Sequence, residues 1–317
     1  MATITKEGGS LGRPASMSHG LRLAAAFGAV YLIWGSTYLG IRLAIDTIPP
    51  LTMAGVRFVI AGTLMYGWMR WRGARQRLPG QRLPRPSAVH WRSALILGGL
   101  MLLGGNGGVT WAEQRVPTGL VALLIGTVPL WMALLEALRR GGTRPAGRTV
   151  LGLVLGFGGV AWLVGPGTRL AGPGVDLVGA GVVLAGALAW AAGSLYSRRA
   201  PQPAGGLTGT AMEMQAGGVL LLLAGGLSGE WQRLNLAAVS LQSLLAMGYL
   251  VIFGSIVAFT AYLWLLRNTT PARASTYAYV NPVVAVFLGW AVLGEALTPQ
   301  IGLAMVVILA GVVLITR

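Results

Sequence analysis

Hydrophobic positions in this chain run in long, nearly uninterrupted blocks. Ten of them can be placed, at 23–44, 50–69, 93–112, 117–138, 147–165, 175–197, 207–227, 241–266, 271–293 and 298–316. An α-helix rises 1.5 Å per residue and needs about 20 mostly apolar residues to cross the hydrocarbon core of a bilayer. The pattern therefore predicts an all-α polytopic membrane protein of ten transmembrane helices. The fifth and tenth blocks are short and the eighth is long, so their tilts should differ. The first block follows Arg22 as a secretion signal would, but its apolar run continues past any plausible cleavage site. It reads as a retained helix.

Composition supports this. Of 317 residues, 55% are hydrophobic and 10% charged, with a mean hydropathy of +0.69. A soluble domain carries about 25% charged residues, and so few charges do not cover a globular surface. A water-soluble enzyme and a disordered regulator are excluded. Cysteine is absent, which removes disulfides, thiolate metal sites and cysteine nucleophiles. His19 and His90 fall in the N-terminal tail and an arginine-rich loop, so no histidine-based catalytic or metal site is expected in the membrane, and no cofactor.

The net charge of +16 changes the picture only through its distribution. With the N-terminus taken as cytoplasmic, all 24 basic residues except Arg42, Arg57, Arg115, Arg169 and Arg233 fall on the cytoplasmic side. Such a bias sets orientation. It predicts a multi-pass protein of the cell inner (plasma) membrane with both termini inside, and no nucleic-acid partner.

The two halves resemble one another at an offset of about 150–158 residues. Gly35-Ser36-Thr37-Tyr38 matches Gly193-Ser194-Leu195-Tyr196, and Ser93, Gly98 and Gly104 match Ser243, Gly248 and Gly254. Pro117 and Pro129 match Pro271 and Pro282, while Gly152 and Gly159 match Gly302 and Gly311. Glycine is abundant, so the shared order carries the argument. An odd number of spans per copy inverts the second copy, which is a transporter architecture with its substrate site near the midplane. The expected units are a tail at 1–22, a five-helix repeat at 23–165 and another at 175–316.

The strings Ile33-Trp34-Gly35-Ser36-Thr37-Tyr38 and Pro49-Pro50-Leu51-Thr52-Met53-Ala54-Gly55-Val56-Arg57-Phe58 carry a family likeness. So do Gly254-Ser255-Ile256 and Tyr277-Ala278-Tyr279-Val280-Asn281-Pro282-Val283-Val284-Ala285-Val286. From about residue 20 onward the chain resembles the EamA branch of the drug/metabolite transporter superfamily, YedA-like exporters in particular. The resemblance implies ten helices in two EamA units and export of small metabolites from the cytoplasm. Glu295, typical of the turn between the last two helices, has Pro145 as its first-half counterpart, so its task is done once here.

Charges deep in a bilayer cost about 2.5–3.5 kcal/mol on insertion scales, so they mark candidate sites. Arg57 lies about 10 Å into its span, and aligning the repeats sets Glu213 at the equivalent position. Facing a central cavity, Arg57 would attract a substrate carboxylate and Glu213 an amine or a proton. Alternatively each holds only the fold, Glu213 by snorkelling to the interface. Glu113 and Glu136 read as interfacial. Glu295 reads as a gate or as a cap on the tenth helix. Pro129 and Pro282 each free a carbonyl one turn back and read as gating hinges or as packing kinks. Trp34, Trp190, Tyr277 and Tyr279 suit stacking on substrate, and Thr37, Asn106, Thr110 and Asn281 hydrogen bonding; helix packing is the competing role. Trp68, Trp71 and Trp91 suit the interface. Gly156-Phe157-Gly158-Gly159 lies mid-membrane after no strand and is no nucleotide loop.

With no ATP-binding motif, the expectation is a monomeric secondary transporter of a small molecule in the lipid bilayer. Proton coupling and facilitated diffusion both fit. An intramembrane enzyme and a membrane assembly protein are the rival classes.

Overall fold

A computed structural model describes residues 19–75, 85–139, 146–164, 176–203, 207–269 and 276–316. Most of the tail, the loop arginines Arg77, Arg82, Arg140, Arg144 and Arg273, and Arg169, Pro145, Pro271 and Arg317 lie outside the described residues. Every regular element among the described residues is a helix.

The long helices, in chain order, are α1 (His19–Ala44), α2 (Pro50–Arg75), α3 (Ala88–Ala112), α4 (Thr118–Leu138), α5 (Gly147–Val164), α6 (Leu177–Ser197) and α7 (Leu207–Leu227). Then come α8 (built of Leu241–Tyr249, Leu250–Val257 and Ala258–Asn268), α9 (Tyr277–Leu293) and α10 (Pro299–Thr316). Among the described residues, six helices are long and apolar enough to cross a membrane, and the apolar stretches of α5, α9 and α10 are shorter. The second expected span runs six residues further, to Arg75. Its last turn is arginine-rich, and such side chains reach out of the membrane without breaking the helix.

Three helices carry an internal π-helical segment, at Ala29–Trp34 in α1, Gly98–Gly107 in α3 and Leu250–Val257 in α8. The last two occupy matching places in the repeats. A π turn loosens the regular ladder and releases carbonyls to outside partners.

The two prolines that match in sequence sit differently in their helices. In α4 the chain breaks at Gly126 and Thr127, and Pro129 stands in the first turn of the second piece, Val128–Leu138. Its missing N–H is no loss there. Pro282 lies inside an unbroken α9.

Packing joins the halves. Helices α2 and α7, α4 and α9, and α5 and α10 face one another. Helix α1 packs on α8 and α9 as α6 packs on α3 and α4, and α3 meets α7 as α8 meets α2. Adding five to each helix number maps these pairings onto one another. Helices α5 and α10 approach closely, and a Cβ on Gly311 would stand 2.7 Å from the Gly152 carbonyl oxygen. Small residues let membrane helices bring their backbones into contact in this way.

The C-terminal ends of α1, α3, α5, α7 and α9 lie at one end of the bundle, called here the far end. The described ends of α1 and α10 lie at the other, the terminal end. The largest buried apolar cluster, with Ile45, Ile48, Ala112 and Val116 from the first half and Ala246, Leu250 and Val286 from the second, fills the bundle toward the far end.

Candidate functional site

The sequence around the π turn of α8 forms a cradle. Gly254 leaves its carbonyl free to accept the Trp34 indole N–H at 3.1 Å, and the next residue, Ser255, accepts the Arg57 Nε–H at 2.9 Å. Arg57 is 3% exposed and its guanidinium lies 4.7 Å from the Phe58 ring centre. Its Nη1 has no hydrogen-bond partner. A buried cation bonded at one nitrogen and unpaired at another can still donate to an acceptor there.

Arg57 lines a cavity between the halves, with about 870 Å³ of atom-free space including its mouth. Trp34, Thr37, Tyr38, Asn106, Trp190, Tyr277, Asn281 and Pro282 line it with Arg57. Among its lining residues Arg57 is the charged one; the others are polar, aromatic or aliphatic. The Trp34 ring meets Phe259 at 5.8 Å, Tyr262 at 5.1 Å and Tyr277 at 5.2 Å between centroids. Such tilted and edge-on contacts hold large flat faces rigidly. Asn106 presents a buried Oδ1 with no partner. Asn281, oriented so that its NH₂ group donates, bonds the Tyr277 and Tyr31 carbonyls at 3.2 Å each. Thr37 turns its hydroxyl onto the Trp34 carbonyl at 2.6 Å.

Other candidates fall elsewhere. Thr110 donates to the Asn106 carbonyl at 2.8 Å inside its own helix. The Tyr279 hydroxyl reaches Val312 of α10 at 3.4 Å. Glu213 accepts from Gln202 at 3.1 Å toward the terminal end and does not line the cavity, and neither does Pro129. Trp68, Trp71 and Trp91 are exposed, as interfacial residues are.

The EamA-like transporter family model matches the chain twice, at residues 23–165 and 177–317. The chain belongs to the EamA-like transporter family. The chain is 42% identical over 300 residues to the Uncharacterized inner membrane transporter YedA of Escherichia coli (strain K12), covering 93% of this chain and 91% of that one. It is 26% identical to the Uncharacterized transporter YoaV of Bacillus subtilis (strain 168), covering 90% of this chain and 93% of the other. A solved crystal structure of a protein has the same fold, with a TM-score of 0.61 at 21% identity over 94% of this chain and 96% of that one.

For an EamA protein, the far end is the second region of interest. Glu230, in the one-turn helix Glu230–Arg233, is 5% exposed. Its carboxylate accepts from the Leu51 N–H at 3.1 Å, the Thr52 N–H at 2.7 Å and the Thr52 hydroxyl at 2.9 Å. Glu295 accepts from the Thr118 and Gly119 N–H groups at 2.6 and 3.0 Å. Expected as a gate or a cap on the tenth helix, it instead caps α4 of the opposite half. Helix N-termini carry unpaired N–H groups and partial positive charge. Each carboxylate therefore makes a charge-assisted bond from the second half to the first. Arg115 and Asp176 add an exposed pair at 3.4 Å. The Gly179 N–H, with Arg115 helping against desolvation, holds the Asp176 carboxyl below its ordinary range.

Sequence reasoning missed Ser255, Tyr262, Phe259 and Glu230. Phe259 and Tyr262 share one face of α8 by their spacing, which is a readable signal. Glu230 carries none, because its partners are far away in sequence. Glu113 was expected at the interface and is instead 2% exposed.

Proposed function

We propose that this protein is a secondary transporter that exports small metabolites across the inner membrane by alternating access. Ten spans in two inverted five-helix halves, both termini cytoplasmic, and a monomeric state complete the reading. The observation that carries it is Arg57, buried, lining the cavity between the halves and left with one unpaired nitrogen. Retaining an arginine at that depth costs too much for packing alone. Amino acids, their analogues and small drugs bearing a carboxylate would meet Arg57, with their apolar bodies against Trp34, Tyr277 and Trp190. Glu213 would meet an amine or a proton on the way in from the terminal end. Alternating access is favoured by the apolar fill and carboxylate bonds at the far end, which leave the terminal end as the entrance in this state. The printed name of the Escherichia coli relative, an inner membrane transporter, agrees.

The test is efflux from proteoliposomes loaded with a panel of amino acids and organic acids. Arg57→Gln should lower efflux at least about tenfold, a barrier change of about 1.4 kcal/mol, while inserting normally. Efflux equal to wild type would return Arg57 to a structural role.

A further inference from the structure

Asn106 stands in the string Gly104-Gly105-Asn106-Gly107, inside the π-helical segment of α3. Glycine on each side lets other helices press in. A Cβ on Gly105 would stand 2.9 Å from the Trp190 ring of α6, and one on Gly107 2.8 Å from Leu221 of α7. Asn106, between them, lines the cavity, and its backbone carbonyl takes the Thr110 hydroxyl. The repeat does not demand an amide there. The offset that pairs Gly104 with Gly254 pairs Asn106 with Ile256, so the matching π turn of α8 is built with an apolar side chain.

Several polar groups of the cavity wall are already bonded within the protein. The Trp34 indole N–H goes to the Gly254 carbonyl, the Thr37 hydroxyl to the Trp34 carbonyl, and Asn281 bridges two carbonyls. Two lining side chains keep a buried polar atom without a partner: Arg57, a donor at Nη1, and Asn106, an acceptor at Oδ1. Arg57 has no carboxylate within ion-pair distance among the described residues. The complement of this pair is a molecule that brings an anionic acceptor and a hydrogen-bond donor, and Trp34, Trp190 and Tyr277 add apolar faces for a flat body. An ammonium would be a second positive charge beside Arg57, in a wall whose lining residues include no acid. Burying such a charge costs far more than burying a hydroxyl that is hydrogen-bonded. We infer that the cargo of the cavity is an aromatic carboxylate carrying an uncharged O–H or N–H donor, its carboxylate bound by Arg57 and its donor by the Asn106 amide oxygen. This rests on the reading of Arg57 as the carboxylate anchor and narrows its cargo. Asn106 is then the specificity-determining residue: a site that hydrogen-bonds its ligand rejects the analogue lacking that donor, because the site's own polar atom is left unpaired.

Calorimetric titration of the full-length protein in lipid nanodiscs tests this by binding, independently of flux. The probes are benzoate, the ortho, meta and para hydroxybenzoates, and the matching aminomethylbenzoates, which carry an ammonium. In the wild type the best hydroxy isomer should bind at least about tenfold tighter than benzoate, and tighter than its ammonium-bearing counterpart. Asn106→Leu should bring the ratio of that isomer to benzoate within about twofold of one. Asn106→Ala should do the same, and guards against an effect of the leucine shape. Arg57→Gln should weaken benzoate and the hydroxybenzoates together, at least about tenfold. If Arg57→Gln binds them as the wild type does, or the wild type binds none of the probes, the anchor reading fails and the inference with it. If Arg57→Gln weakens them but no isomer exceeds benzoate, or the preference survives both Asn106 variants, the inference fails and the anchor stands. Tighter binding of the ammonium compound would overturn the uncharged donor.

Discussion

At the far end, two carboxylates of the second half bind backbone N–H groups that open two helices of the first half. At the terminal end, the described contacts between halves are neutral: Tyr31 with Thr276 at 2.5 Å, and the Thr208 hydroxyl with the Met69 sulfur at 3.7 Å. The one charged pair there among the described residues, Arg139 with Glu136, is local to the end of α4. The difference teaches how one pseudo-symmetric bundle is tied by charge at one end and by neutral contacts at the other. A carboxylate on a helix N-terminus is strong when dry, yet both partners are readily hydrated once parted. Under the proposed alternating access it would serve as a latch that opens repeatedly.

Removing the stronger latch should break the comparison most visibly. Glu230→Ala strands the Leu51 and Thr52 donors, and hydrogen bonds to charged groups are worth about 1.5–3 kcal/mol each with much overlap. A loss of about 3 kcal/mol is expected, read as a fall in thermal midpoint in detergent. Glu295→Gln keeps an acceptor but loses the charge at α4, so a smaller loss of about 1 kcal/mol is expected. It should also make the cavity more reachable from the far side.

The smallest effect belongs to Asp176. Its carboxyl is held below the ordinary range in the folded protein, so its stabilising contribution is present above that range and is lost as pH falls through the lowered value. Asp176→Asn should be slightly less stable than wild type at neutral pH, and the two should converge in acid. A gap unchanged with pH would remove the charge from the explanation.

The helices were legible because a bilayer demands long apolar runs, and the two-fold plan was legible in the order of Gly and Pro. Trp34, Arg57, Asn106 and Tyr277 could be picked out because polar and aromatic groups inside such runs are few. What stayed hidden depends on contacts between halves. Glu295 and Thr118 are 177 positions apart, and Glu230 and Thr52 are 178, beyond any local pattern. Glu113 was misplaced for the same reason, since hydropathy finds the end of α3 and says nothing of what covers it. Pro129 and Pro282 match in sequence, but the Gly126–Thr127 break gives one of them a helix start.

The central claim is that a cavity between the halves is reached from one face at a time. The natural absence of cysteine allows a single reporter at Asn106→Cys on the cavity wall. Its labelling by an impermeant maleimide is to be compared in inside-out and right-side-out vesicles, with the latches intact and with Glu295→Gln. The account predicts labelling from the cytoplasmic face when the latches are intact, and a shift toward the opposite face in Glu295→Gln. Equal labelling from both faces with intact latches, or labelling from the far side alone, would contradict it.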